Sequence, residues 1–261
     1  MWNVTRLNGE PVDHLSPSSL EKFMNCPEAW RLHYLVGKPR KENVYAAWGK
    51  AHHMALGRYF GRRLAEEPTT PEETASFFRE SFGTLVREAE GFDWRNLGAQ
   101  EVAETGSRLV EAYVRTEAWK LQPIMVEERR ETEIDGINFV TVVDLVTEND
   151  LIDLKTASRV TTKVQPSWFF QGFCYQLVWG KPLTWHVCVK QTPPKIVTGL
   201  SIPYVELRQG RTRSWICQLT SQIQNLYDAY GPDNPWPGNG LSNDACWRCD
   251  FREGCHWRVG L

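Results

Sequence analysis

VTVVDLVTENDLIDLKT, residues 140–156, places ionisable side chains inside an apolar run. Outside the polar residues 147–150, two acids, Asp144 and Asp153, and one base, Lys155, interrupt a stretch that is rich in Val, Leu and Ile. Apolar neighbours on both sides of each acid are typical of strands buried on both faces. A buried charge needs a partner or a function. The stretch therefore predicts adjacent strands that hold ionised groups within an apolar sheet.

A turn signal upstream sets the register of the first strand pair. Asp135-Gly136 is a strong signal for a two-residue hairpin loop. A loop at these two residues places Glu127 directly opposite Asp144. We therefore expect a second carboxylate beside Asp144.

A second turn sets the next strand pair. A loop at residues 148–149 places Asp144 opposite Asp153, and moving the loop to 149–150 keeps the same face. Lys155 shares the face of Asp153, because strand side chains alternate. The sequence thus predicts three carboxylates and one ammonium on one face.

These carboxylates favour a metal site. Two carboxylates at about 5 Å repel by roughly 3 kcal/mol at an effective dielectric constant near 20. Lys155 can offset part of this repulsion, and Mg²⁺ or Mn²⁺ with oxygen ligands offsets it better. The alternative is a solvent-facing strand pair with surface ion pairs, because an Asp-x-Lys sequence alone is common. The apolar neighbours favour the metal.

Residues 45–63 predict a helix with a stripe of small residues. The members of the stripe recur every four positions and are Gly49, His53, Gly57 and Gly61. A stripe with so little bulk allows another element to pack close and leaves His53 as its projecting group. The alternative is a packed core histidine, and the adjacent His52 competes for the same role.

The remaining patterns are helical or strand-like. Helices are also predicted over residues 70–90, 100–120, 166–179 and 212–229. Three strands are predicted within residues 124–156 and two more at 183–190 and 200–208. The first helix is predicted to have a capping box from Ser18 to Glu21. Residues 231–240 predict an irregular strap.

Four cysteines frame the chain with the spacing of metal ligands. They are Cys26, Cys246, Cys249 and Cys255. Zinc and a [4Fe-4S] cluster both fit this spacing. The three other cysteines are expected in the core and are Cys174, Cys188 and Cys217.

Bulk properties narrow the class of protein. The chain has 261 residues and a net charge of −2, so global charge indicates no partner, although basic clusters occur locally. The first residues lack a signal peptide, and no apolar run reaches the length of a membrane span. We therefore expect a cytoplasmic globular protein, in the host cytoplasm if phage-encoded.

Three motifs and the cysteine framework carry a family resemblance. Asp144 followed by Asp153-Leu154-Lys155 resembles the catalytic motif of the PD-(D/E)XK nuclease superfamily. Residues 49–53 resemble the G-x-x-x-H motif of its RecB-like branch, and residues 171–175 resemble its Q-x-x-x-Y motif. The cysteine framework is similar to the iron-sulfur staple of the AddB nuclease domain and of CRISPR-associated and phage RecB-like exonucleases. Two departures are Lys50, where Thr is frequent, and Asp153, where Glu is the alternative.

The resemblance implies a fold and an activity. The fold would be α/β, with a central mixed sheet flanked by helices and a [4Fe-4S] cluster joining the N- and C-terminal segments. One domain over residues 1–261 would comprise a helical part at 15–120, a nuclease core at 121–208 and a cluster-binding segment at 209–261. The activity would be a metal-dependent DNA exonuclease for single-stranded DNA or duplex ends, in recombination, repair or CRISPR adaptation.

The resemblance also implies residue roles. Asp144, Asp153 and the carbonyl of Leu154 would bind Mg²⁺ or Mn²⁺, with His53 as a nitrogen ligand. Lys155 would orient or deprotonate the attacking water. Glu127 enters the site by strand pairing alone. Gln171 and Tyr175 would contact DNA or metal-bound water, and the alternative is a hydrogen-bonded pair over the core.

Two rival functions remain. One is a structure-specific endonuclease of the same superfamily. The other is a non-catalytic nucleic-acid-binding module with a zinc clasp.

Overall fold

The computed structural model describes residues 2–239, 246 and 249–257. Its strands are β1 (Pro123–Ile134), β2 (Ile137–Thr147), β3 (Leu151–Ala157), β4 (Leu183–Val189) and β5 (Lys195–Ile202). They form one five-stranded sheet in chain order. Strands β3 and β4 are parallel, and the other neighbours are antiparallel. The predicted α/β class with a mixed sheet is therefore confirmed.

Both predicted hairpin registers are confirmed. Asp135 and Gly136 have φ of 54° and 77°, as a tight two-residue hairpin loop requires. Val126 pairs with Leu145 across β1 and β2, which is the register that this loop dictates. Leu145 pairs with Ile152 across β2 and β3, as a loop at residues 148–149 predicts. The turn residues were therefore sufficient to predict the pairing register of β1, β2 and β3.

The helices surround this sheet. They are α1 (Pro17–Asn25), α2 (Pro27–Tyr34), α3 (Val44–Leu64), α4 (Pro71–Glu88), α5 (Ala99–Thr116), α6 (Pro166–Trp179) and α7 (Glu206–Tyr230). A short 3-10 helix, Ala118–Lys120, follows α5. None of the helices in the described ranges combines the length and the apolar character needed to cross a membrane.

Several predicted bounds were wrong. The final strand, predicted at 200–208, lies at Lys195–Ile202, and α7 begins at Glu206 rather than at 212. Pro203 follows the strand directly and cannot donate a ladder hydrogen bond, so the strand ends there. The helix predicted over 100–120 ends at Thr116.

The capping box predicted from Ser18 to Glu21 was also wrong. Ser16 is the N-cap of α1, and its hydroxyl accepts from the Ser19 N–H at 3.2 Å while the Ser19 hydroxyl accepts from the Ser16 N–H. The helix begins at Pro17, because proline suits the first helical position, where no N–H partner is needed. Glu21 is therefore free of the cap.

Apolar packing covers both faces of the sheet. Helices α3, α4 and α5 pack on one face against Leu145, Ile152 and Leu154. Helix α6 packs on the other face, with Tyr175 in the same cluster as Trp185 and the neighbouring strand residues. A third cluster joins α1, α2 and α7 to the turn end of β1 and β2. The middle of β2 and β3 thus lies between two helical layers.

A buried ion pair on α2 holds a distant segment. Arg31 and Glu28 pair at 2.7 Å, with side chains 5% and 1% exposed. Glu28 Oε2 accepts from the Trp236 N–H at 2.7 Å, and Arg31 Nη1 donates to the Pro232 carbonyl at 2.6 Å. The strap predicted at 231–240 is irregular over 231–239 and is anchored here, while Gly240 lies outside the described residues.

Candidate active site

Asp144 bridges two strands at the point where their backbone pairing stops. The β2–β3 ladder comprises Leu145 with Ile152 and Val146 with Leu151. At the next position Asp144 Oδ2 accepts from the Leu154 N–H at 2.6 Å, so a side chain takes the place of a backbone acceptor. This carboxylate is fixed by the strand beside it.

His53 of α3 contacts the same carboxylate. Its Nδ1 lies 3.0 Å from Asp144 Oδ1. Burial by itself lowers the pKa of His53, but the charge and the hydrogen bond of Asp144 outweigh burial and raise it. Burial raises the pKa of Asp144, yet His53 and the Leu154 N–H together hold it below its usual value. The two groups form a charge-assisted pair.

His52, the competing residue, points elsewhere. It is fully buried, and neither ring nitrogen has a hydrogen-bond partner within the described part of the chain. Burial, and then the charge of His53, lowers the pKa of His52 to about 3. The structure therefore brings His53, and not His52, into contact with Asp144.

Glu127 approaches the site across a glycine. A Cβ atom at Gly57 would lie 2.5 Å from Glu127 Oε1, so the bare helix surface accommodates this carboxylate. The close approach that the stripe allows occurs at Gly57, whereas Gly49 and Gly61 meet nothing within 4 Å in the described part of the chain. Glu127 has φ of 49°, uncommon for a residue with a side chain.

The electrostatics of Glu127 agree with this position. Burial and the charge of Asp144 raise its pKa. The neighbouring pairs, Val126 with Leu145 and Glu128 with Val143, keep the predicted register on both sides of Glu127. The two carboxylates therefore interact, as strand pairing predicted.

A hydrogen-bonded chain leads from the second acid to α6. Lys155 Nζ lies 2.8 Å from Asp153 Oδ2 and donates to Gln171 Oε1 at 2.8 Å. Gln171 Nε2 donates to the Tyr175 hydroxyl at 2.7 Å. Gln171 and Tyr175 thus form a hydrogen-bonded pair, which was the sequence-based alternative to contact with DNA or metal-bound water. Gln171 also accepts a hydrogen bond from Lys155.

Asp153 is the most enclosed acid of the site. It is 2% exposed, and burial raises its pKa to about 6 against the opposing effect of Lys155. Lys155 Nζ donates to Asp153 Oδ1 at 3.1 Å and forms an ion pair with Oδ2 at 2.8 Å. Both oxygens of Asp153 are therefore in contact with Lys155.

Glu21 of α1 is an acid near the site that the motif analysis missed. Burial raises its pKa to about 7, Lys155 lowers it and Asp153 raises it, so its charge reaches both groups. Its Oε1 is buried and has no hydrogen-bond partner in the described ranges. The only sequence signal was a capping pattern, which assigned Glu21 to a different role.

The donor types fit a divalent cation. Carboxylates are the ligands that Mg²⁺ and Mn²⁺ prefer, and the buried Asp153 carboxylate lies close enough to Asp144 for the charge of Asp144 to raise its pKa. Across the described residues, however, no three His, Cys, Asp or Glu side chains are arranged to hold a metal. Asp144 is engaged by His53 and Leu154, and Asp153 by Lys155.

The framework cysteines influence one another electrostatically. Burial, and then the charges of Cys26 and Cys255, raises the pKa of the Cys246 thiol. Burial raises the pKa of Cys249, with a contribution from Cys26. The C-terminal segment also contacts the N-terminal part through Arg40, which donates to Asp250 at 2.7 Å. Residues 240–245, 247–248 and 258–261 of the expected cluster-binding segment lie outside the described residues.

The other cysteines lie apart from this framework. Cys174 and Cys188 are buried, as expected for core residues. Cys217 is only partly buried and packs at the margin of the cluster formed by α1, α2 and α7.

Comparisons with known proteins give the class. The sequence pattern of the PD-(D/E)XK nuclease superfamily matches this chain over residues 14–256. The crystal structure of a "Putative exonuclease" from Eubacterium rectale aligns with a TM-score of 0.56 and 16% identity over 95% of this chain and 90% of that one. The structure of SSO0001 aligns over 93% of this chain and 97% of its own with 12% identity and a TM-score of 0.38. No curated protein matches significantly.

The family match over residues 14–256 gives the class of protein, which is that of the nucleases. The chain belongs to the PD-(D/E)XK nuclease superfamily.

Proposed function

We propose that the protein is a metal-dependent DNA exonuclease that acts on single-stranded DNA or on frayed duplex ends. The observation that carries the proposal is the convergence of His53 and Asp144 beside the Asp153–Lys155 pair. Membership of the superfamily supports hydrolysis of nucleic acid. The similar Eubacterium rectale structure, whose name carries the word exonuclease, supports an end-directed activity. Recombination, repair or CRISPR adaptation is the proposed setting.

Four groups would hold the cation. Asp144, Asp153 and the Leu154 carbonyl would supply oxygens, and His53 would supply a nitrogen. Bound there, Mg²⁺ or Mn²⁺ supplies a lowered pKa for an attacking water and a positive charge beside the phosphate. Glu127 would contribute from the Gly57 side, in direct contact or through water.

Lys155 would act on the phosphate and the water. Asp153 holds it as a cation, and Gln171 fixes its ammonium from the other side. A fixed cation stabilises the charge that develops as the water oxygen bonds to phosphorus and the bond to the leaving sugar oxygen breaks. Gln171 and Tyr175 position Lys155 in this proposal, and their free edges would face the DNA.

We further propose a [4Fe-4S] cluster on Cys26, Cys246, Cys249 and Cys255. The spacing of the four thiols along the chain supports a common site, and within the described residues no three of them are arranged to hold a metal. The cluster would be structural, joining the α1–α2 junction to the final segment, and zinc is the competing occupant. A brown preparation with broad violet absorption distinguishes iron from colourless zinc.

The test of the enzyme uses end-labelled linear single-stranded DNA and circular single-stranded DNA with Mn²⁺ or Mg²⁺. We expect the linear DNA to be degraded, the circle to remain intact and Asp144→Ala to be inactive. Cleavage of the circle identifies the endonuclease. Absence of metal-dependent cleavage by the wild type, or unchanged cleavage by Asp144→Ala, contradicts the enzyme.

A further inference from the structure

Lys190 lies beside the site on an aromatic platform. It follows the last residue of β4, and its N–H donates to the Ala157 carbonyl of β3 at 2.8 Å. Its Nζ lies 4.4 Å from the ring centre of Trp48 and 5.5 Å from that of Tyr45, both on α3. Lys190 is therefore held between the sheet and the first turns of α3.

Among residues 2–239, 246 and 249–257, none supplies a counter-charge to the ammonium of Lys190. None of the ion pairs in the described chain includes it. Burial lowers its pKa to about 8. Aromatic rings attract a cation and replace part of its hydration, but they supply no negative charge. A desolvated cation without a carboxylate is therefore suited to an anion from outside the chain.

Neighbouring donors also lack acceptors. His52 is fully buried with both ring nitrogens unpartnered, and the Trp48 Nε1–H is buried without an acceptor among the described residues. These residues lie one turn apart on α3, and the charge of Lys190 reaches His52. Buried polar groups without partners are rare, and each one calls for a bound water, an ion or a ligand.

The position of Lys190 relates it to the proposed nuclease site. Lys155 pairs with Val187 in the β3–β4 ladder, so the backbone of Lys190, one residue past the end of β4, lies three residues or roughly 10 Å further on. The Lys190 side chain points to the α3 face of the sheet, opposite to Lys155 and on the side from which His53 reaches Asp144. His52 is the immediate neighbour of His53, which contacts Asp144. A nucleic-acid strand at the acidic site therefore has further phosphates within reach of this platform.

We propose that Lys190, held over Trp48 and Tyr45, binds a backbone phosphate of the substrate strand close to the phosphate that is cleaved. His52 and Trp48 Nε1 are enclosed, so they would reach this anion only through a bridging water. The inference rests on the proposed function and adds a second, non-catalytic contact to it. A contact to a backbone phosphate increases affinity and fixes the position of the strand on the protein, but it does not depend on the base sequence.

Lys195 offers a matched control. It pairs with Val189 across β4 and β5, so it lies at nearly the same position of the sheet as Lys190. Because successive side chains of a strand point to opposite faces, Lys195 shares the face of Val189 and not that of Lys190. It is exposed and takes part in no ion pair within the described residues.

The experiment measures binding without cleavage. Fluorescence anisotropy of end-labelled single-stranded DNA in EDTA gives Kd over a series of salt concentrations for the wild type, Lys190→Met, Lys190→Arg and Lys195→Met. We expect Lys190→Met to weaken binding and to reduce the slope of log K against log salt by about 0.7, the value for one phosphate on a single strand. Lys190→Arg should retain the slope, and Lys195→Met should leave it unchanged.

A second measurement needs no variant. Acetylation of the wild type by an amine-reactive ester, read by mass spectrometry, should modify Lys190 in the free protein, and bound DNA should protect Lys190 but not Lys195. Equal slopes for the two Met variants, or equal modification of Lys190 with and without DNA, overturn the phosphate contact. If the wild type cleaves DNA in the presence of Mn²⁺, those results leave the nuclease intact. A wild type that neither binds nor cleaves DNA overturns both proposals.

Discussion

Nδ1 of His53 lies 3.0 Å from Oδ1 of Asp144, although 91 residues separate them in the chain. The other oxygen of the same carboxylate accepts from the Leu154 N–H. One side chain thus ties α3 to β2 and β3. Any change of this carboxylate alters the position of a helix and the pairing of two strands together.

The first prediction concerns His53. His53→Ala removes the imidazole from Asp144 and should lower the rate of DNA cleavage by about 100-fold or more, the usual cost of losing a group that fixes charge in an active site. Initial rates at saturating Mn²⁺ check this. His14→Ala, which removes an exposed imidazole, is the control and should keep full activity. A His53→Ala enzyme as fast as this control contradicts the assignment of His53.

Asp153 predicts a pH dependence. Its pKa is raised from 3.8 to about 6, so the folded protein binds this proton more tightly than the unfolded chain does. The stability of the metal-free protein should therefore fall as pH rises from about 4 to about 6, and Asp153→Asn should remove that part of the fall. Urea unfolding of both proteins across this range measures it. Parallel stability curves for the two proteins disagree with a raised pKa.

Glu21 should also make the protein less stable as pH rises, but over a higher pH range than Asp153. Its pKa is raised from 4.5 to about 7, so ionisation destabilises the fold progressively between these values. Glu21→Gln should therefore stabilise the metal-free protein more at about pH 8 than at about pH 5, by roughly 1–2 kcal/mol after allowance for partial exposure. Denaturant midpoints at both pH values check this. Glu80→Gln, at an exposed position, should show no such difference.

The contact between Glu127 and α3 can be tested by substituting Gly57, the helix residue that faces the Glu127 carboxylate. Gly61→Ala has open space and should stabilise the protein by about 0.5–1 kcal/mol, because alanine is the better helix former. Gly57→Ala brings a methyl group against the end of the Glu127 side chain and should lose part of that gain. If Glu127 assists the metal, Gly57→Ala also slows cleavage and Gly61→Ala does not. Identical behaviour of the two variants excludes a role for the contact.

The cysteine framework predicts a loss of iron. Cys26→Ser should remove the violet absorption and most of the bound iron, and it should lower solubility, because the final segment loses its tether. Cys217→Ser changes a partly buried cysteine outside the framework and should retain both. Iron analysis of the two purified proteins checks this. A Cys26→Ser protein with full iron content and colour rules out Cys26 as a ligand.

Local chemistry made the central hairpins predictable. Asp135 and Gly136 demand a tight loop, and that loop alone fixed the pairing of Val126 with Leu145. The four-residue spacing of the glycines on α3 likewise predicted that His53 projects from that face of the helix. These features depend on residues close in sequence, so their geometry follows from the chain without knowledge of the fold.

Features that depend on how helices cross could not be predicted in this way. Glu21 reaches Lys155 because α1 packs against α6, and no spacing within α1 encodes that contact. The platform under Lys190 brings the end of β4 against α3, and strands β1, β2 and β3 lie between these two elements in the sequence. The Ser16 cap was missed because Ser18 and Glu21 offered a competing pattern of the same kind.

The buried Arg31–Glu28 pair on α2 bears on the order of events during synthesis. Glu28 completes its contacts with the Trp236 N–H, which is made 208 residues later. Until those residues are made, the Arg31–Glu28 pair of α2 stays exposed to water and lacks its final partners. The first helices of the nascent chain can therefore form early, but the buried contacts of α2 with residues 232–236 form only after that segment has been made.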